Sequence, residues 1–147
     1  MNESKIYSVL LEPNEKFAIE VFRKDGGIDE VVNLTNKSKN TINSWIYNET
    51  EPSRSMRPMV ERAVPKMKPD LWRKQTNELL DVSELLYLFS IRERINDYRC
   101  ADKVGISKPI VSRILNGYKG FDSAVADKIV NKLSGVLGVK RQETLQG

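Results

Sequence analysis

Histidine is absent from this sequence, and cysteine occurs once, at Cys100. Zinc sites and the Ser-His-Asp or Cys-His nucleophile arrangements are therefore closed off, and an internal disulfide framework is excluded. A single thiol also leaves an oxidising compartment without support. Long apolar runs are missing too. Nothing approaches the roughly 20 residues of a membrane span, and the opening MNESKIYSVLLEPNEK lacks the basic start and apolar core of a signal peptide. The expectation is a cytoplasmic protein with no membrane partner. Glycine-rich phosphate loops are lacking: Gly26-Gly27, after Lys24-Asp25, reads as a helix stop rather than a cradle. Asp, Glu, Ser and Lys are plentiful, yet no signature surrounds any of them. The chain is thus expected to be no enzyme and to use no cofactor or metal.

What is present looks globular. Of 147 residues, 39% are hydrophobic and 30% charged, well away from the composition of disordered chains. The net charge of +4 permits a polyanionic partner without requiring one. Apolar residues recur at helical spacing, broken by short stretches rich in Gly, Pro, Asn and Ser, and no sustained alternation announces a sheet. The spacing predicts helices over about 14–24, with Phe17, Val21 and Phe22 on one side, then 28–34, 38–47 and 59–67. The segment KMKPDLWRKQTNELLDV changes character, with Pro69 and mixed charge, and a second helical set follows from Ser83, read as a cap. The predicted architecture is all-α in two small units: residues 1–68, a linker over 69–82, residues 83–138, and a polar tail over 139–147. The first eleven residues stay open between an extra helix and an arm.

The stretch CADKVGISKPIVSRILNGYKG, residues 100–120, places a glycine inside an otherwise helical run. Two helices meeting through a turn of three or four residues need a left-handed position at the bend, which Gly105 takes without steric cost. Ala101 is small enough for close helix approach, and Val104 and Ile106 flank the bend as apolar plugs. Ser107 can cap the next helix, Pro109 fits its first turn, and Val111 and Ile114, three apart, face inward. Residues 103–121 include Lys103, Lys108, Arg113 and Lys119 and no acid. This order resembles the helix-turn-helix of the phage repressor and Cro family. The resemblance covers residues 83–137, with SAVADKIVNKL similar to that family's following helix and Ala126, Ile129, Val130 and Leu133 on its core side.

The resemblance implies that Ser107, Lys108, Pro109, Ser112, Arg113 and Asn116 face the major groove of double-stranded DNA. Independently of it, Arg suits guanine, Asn suits adenine, and Ser can donate or accept. Tyr118 and Lys119, in the loop beyond, suit phosphates. The bland alternative is a solvated basic face. The first unit is less regular. Setting Ile42 and Trp45 as its inward pair puts Asn36 at the glycine position and Thr35 and Lys37 at the plugs, while an insertion restoring Leu34 to the core is equally compatible. Its outward candidates are Ser38, Lys39, Asn40, Asn43 and Ser44, for DNA or for a protein partner. Trp45 and Cys100 read as core, Trp72 as packing between units, and Arg92, Arg94 and Arg99 as solvated helix charges. By resemblance the function is sequence-specific transcriptional regulation, repressor-like and of phage or mobile-element type. A homodimer stays open. The rival is a protein-interaction module inhibiting a host or defence complex.

Overall fold

A computed structural model, described for residues 6–141, is mostly helical with a small sheet. The chain divides into two compact units: Leu11–Thr76 form the first, and the described residues up to Leu10 and from Asn77 form the second. Among the described residues no helix is long and apolar enough to cross a membrane.

The first unit comprises helices α1 (Pro13–Arg23), α2 (Gly27–Thr35), α3 (Lys39–Ile46) and α4 (Arg57–Ala63), then a 3-10 turn over Pro69–Arg73. Glu12 and Glu15 form a reciprocal capping box at the start of α1, with Pro13 in its first turn, so orphan N–H groups there find acceptors. Phe17, Val31, Ile42, Trp45, Val60 and Met67 are buried around one centre. The Phe17 ring lies edge-on to Trp45 at 6.1 Å and tilted against Trp72 at 5.2 Å. Trp72 therefore closes the core of the first unit, a correction to its expected place between units. Asn14 Nδ2 donates to Ile46 O at 2.8 Å, fastening α1 to the end of α3.

The second unit adds strands to helices, which corrects the all-α expectation. Strands β1 (Tyr7–Leu11), β2 (Thr76–Leu80) and β3 (Lys140–Arg141) form one sheet in the order β2-β1-β3. β1 and β3 are antiparallel, with Tyr7 opposite Arg141 and Ser8 opposite Lys140. Of the first eleven residues, Tyr7–Leu11 thus form a strand rather than a helix, 1–5 lie outside the described residues, and the segment 69–82, expected as a linker, carries a 3-10 turn, a strand and a helix cap. Runs of five residues are too short for helical periodicity to be tested. Of the expected tail, Lys140 and Arg141 are paired, and 142–147 lies outside the described residues. The helices are α5 (Val82–Glu93), α6 (Asp97–Val104), α7 (Lys108–Leu115) and α8 (Ser123–Leu137). Asp81, not Ser83, caps α5: its carboxylate accepts from Glu84 N at 2.8 Å, and Glu84 Oε1 accepts from Asp81 N at 2.9 Å. Arg92, expected in solvent, donates to Leu137 O at 3.3 Å and Leu10 O at 3.0 Å, joining the end of α8 to β1.

The two halves of the chain follow one template at a spacing of 69 residues. Strand Tyr7–Leu11 corresponds to Thr76–Leu80, and the capping box Glu12/Glu15 to Asp81/Glu84. Buried Phe17, Val31, Ile42, Trp45, Val60 and Val64 correspond to buried Leu86, Cys100, Val111, Ile114, Ile129 and Leu133. Asn36 (φ 58) and Asn48 (φ 61) correspond to Gly105 (φ 83) and Gly117 (φ 100), so the left-handed positions repeat as well.

Gly105 and Gly135 make opposite predictions from this backbone. A Cβ at Gly105 meets nothing within 4 Å but must sit at φ +83, so Gly105→Ala should cost about 1–2 kcal/mol through left-handed strain alone. Gly135, inside α8 with open space at its Cβ, should gain about 0.4–1 kcal/mol on replacement by Ala, because the unfolded chain loses freedom. Urea unfolding followed by circular dichroism reads both signs; a gain at Gly105 would mean that the bend relaxes out of this conformation.

Candidate functional site

The acid-free stretch is organised by the α6–α7 pair. α6 ends at Gly105, whose N–H donates to Ala101 O at 2.8 Å, followed by Ile106 N to the same oxygen at 3.2 Å. The left-handed residue thus turns two N–H groups onto a carbonyl at the helix end. Val104 and Ile106 are buried on either side of the bend, and Val111 and Ile114 are fully buried beneath α7. Ser107 has the extended backbone of an N-cap and Pro109 lies in the first turn.

With Val111 and Ile114 inward, the opposite face of α7 is set by the helical period. Ser107, Lys108, Pro109, Arg113 and Asn116 are exposed and Ser112 is half-buried. These six sequence-selected residues are brought together on one surface. Asn116, which ends α7, donates Nδ2 to Ser112 O at 2.7 Å. Lys128, which the linear sequence did not single out, reaches back from α8 to Gly105 O at 3.3 Å and adds a cation beside the bend. Only tertiary contact reveals it, since it lies 23 residues away.

The loop after α7 is held differently from its expected role. Lys119 Nζ lies 2.7 Å from Asp81 Oδ2 and 3.1 Å from Ser83 Oγ. Asp81 is 1% exposed, and a carboxylate that deep requires a charged or hydrogen-bonding partner. The ammonium of Lys119 is thus already partnered, and the residue fixes the loop rather than offering a free cation to phosphate. Tyr118 is exposed and stands against Gly120, where a Cβ would come within 2.8 Å of Tyr118 Oη. Cys100 is buried under α6, and burial, with Asp97 adding to it, pushes its thiol up to about 11. It stays protonated at neutral pH and packs as a small apolar group.

In the first unit, Asn36 adopts the left-handed conformation (φ 58, ψ 28) and Leu34 is 50% exposed, whereas Thr35 is 2% exposed with its hydroxyl donating to Val31 O at 2.7 Å. The register without an insertion is the one formed. A hydroxyl can fill a plug position because its hydrogen bond is satisfied within the helix. Ser38 caps α3 by accepting from Thr41 N at 3.1 Å. Ser38, Lys39 and Asn40 are exposed and Asn43 and Ser44 half-buried. Ser44 Oγ donates to Thr41 O at 2.7 Å and lies 2.6 Å from Thr50 Oγ1, so its hydroxyl is engaged internally. Lys39 and Asp29 approach at 4.0 Å, but both are largely solvated, and such a pair is worth little. Arg57 Nε donates to Pro52 O at 3.0 Å and so holds the loop after α3.

No protein-family model matches the chain, and neither a curated protein nor a solved structure does.

Proposed function

We propose that this protein binds double-stranded DNA sequence-specifically through the exposed face of α7 and acts, without a catalytic step, as a cytoplasmic transcriptional regulator, repressor-like and of phage or mobile-element type. The observation that carries the reading is Arg113. Its side chain is exposed, lies within the acid-free stretch 103–121 and makes no hydrogen bond or ion pair among the described residues. A guanidinium so placed is a bidentate donor for the O6 and N7 acceptors of guanine, and an α-helix fits the major groove. Lys108, in the first turn of α7, and Lys128, bonded to Gly105 O before it, supply positive charge for phosphates. The two short helices give this face a fixed shape, because Val111 and Ile114 are locked in the core.

Selection from random genomic duplexes tests the reading, and Arg113→Ala refines it. The variant should lose about 1–3 kcal/mol of specific binding, confined to one base position, with helical content intact. Unchanged affinity for the selected site would remove Arg113 from the recognition surface. A protein-binding scaffold is the second reading, favoured by Tyr98 and Val136, which are 67% and 62% exposed. It calls for salt-sensitive association with DNA from which no motif is recovered.

A further inference from the structure

We infer that a single chain reads one asymmetric DNA site, with α3 forming a second reading face whose base preference differs from that of α7. The inference rests on the DNA-binding reading of α7 and extends it by the internal correspondence at 69 residues. The parts that would present a helix to a duplex correspond in both halves: a left-handed residue at 36 and 105, a serine at the N-cap position at Ser38 and Ser107, a lysine at Lys39 and Lys108, and a buried pair at Ile42/Trp45 and Val111/Ile114. A fold that keeps its bend, its N-cap serine and its buried pair through nearly complete replacement of side chains keeps the presentation of the outer face too.

The outer faces themselves differ. Where α7 carries Pro109, Ser112 and Arg113, α3 carries Asn40, Asn43 and Ser44. The carboxamides of Asn40 and Asn43 make no hydrogen bond among the described residues, and a free carboxamide matches the N6 donor and N7 acceptor of adenine. At the position of Arg113 the first unit has only Ser44, whose hydroxyl is bonded to Thr41 O, so no guanidinium stands there for bidentate contact with guanine. A symmetric dimer of identical chains reads the same bases twice. One chain with two unlike faces reads two unlike blocks, an A·T-containing one by α3 and a G·C-containing one by α7. Because both faces are covalently joined, the second engagement is intramolecular and needs no second protein.

The test uses the full chain. Selection from random duplexes should return two unlike blocks, and sedimentation at saturating protein should give one chain per duplex. Asn40→Ala with Asn43→Ala should weaken binding to the selected site about 5- to 150-fold and relax only the A·T-containing block. Arg113→Ala should relax only the other. Asn40→Ala alone, at an exposed position, provides a variant outside the packed core. A palindromic motif bound by two chains would overturn the inference, as would a one-block motif to which the asparagine variants bind like the parent; either leaves DNA binding by α7 standing. Recovery of no motif at all would remove the α7 reading, and this one with it.

Discussion

Trp45→Ala should lower the stability of the Leu11–Thr76 unit by about 3–5 kcal/mol. The indole is 4% exposed and stacks edge-on to Phe17, which in turn meets Trp72, so truncation leaves a cavity bordered by stiff rings that cannot collapse into it. α3 has eight residues, and a helix that short does not persist in water without tertiary packing. Its outward face, Asn40 and Asn43 included, goes with the core. Trp45 and Trp72 are the two tryptophans of the chain and both belong to this unit. Fluorescence of the remaining Trp72 in the variant therefore reports this unit alone, while far-UV circular dichroism sums the helices of both. The urea midpoint read by fluorescence should fall steeply; a loss under about 1 kcal/mol, the scale of an ordinary exposed substitution, would mean that the aromatic cluster repacks without it.

Much of the helical framework was legible because it depends on local rules. The bend at Gly105 followed from one residue type, the plugs and inward pairs from a period of 3.6, and the outward set on α7 from the same period. Strands YSVLL and TNELL were not legible, since each is five residues long and is a strand only by virtue of partners far along the chain. The role of Lys119 was hidden for the same reason: its partner Asp81 lies 38 residues earlier. Trp72 reads as an outlier in a charged segment until Pro69 and the 3-10 turn are seen to drop it onto Phe17. The duplication is nearly silent in sequence. Leu11/Leu80, Glu15/Glu84, Ser38/Ser107 and Lys39/Lys108 are identical, but at most positions only burial is kept, as when Thr35 stands for Val104 or Trp45 for Ile114. Cores tolerate such replacement when volume and pattern are preserved, so the template outlasts the letters. In the first unit, the choice between Leu34 and Thr35 as plug needed the structure, because a threonine satisfied by Val31 O is as good an occupant as a leucine.

Removing residues 1–10 should damage the second unit, although its helices all lie beyond residue 81. β1 is the middle strand of the sheet, so its loss separates β2 from β3 and exposes the ladder edges of both. Val9 is buried, and returning it to water costs about 1.5–3 kcal/mol. Each ladder hydrogen bond given up adds about 0.5–1.5 kcal/mol. Arg92 loses Leu10 O as an acceptor, so its link from the end of α8 at Leu137 O to β1 is broken, which loosens the end of α8. A loss of at least about 3 kcal/mol follows from these terms, a large part of the 5–15 kcal/mol by which domains of this kind are stable. For the same reason a fragment beginning at Asp81, which the helix boundaries alone would suggest as a self-sufficient unit, lacks two strands of its own sheet and should be only partly folded. Hydrogen exchange of the shortened chain gives the test at the level of elements: amides of α5 and α8 should lose protection, while those of α1 to α4, in the other compact unit, should keep more of theirs. Retained protection throughout α8 would show that the four helices hold together without the strand. If protection is lost, specific DNA binding should fall with it, because the α7 face keeps its shape only while Val111 and Ile114 remain seated in that core.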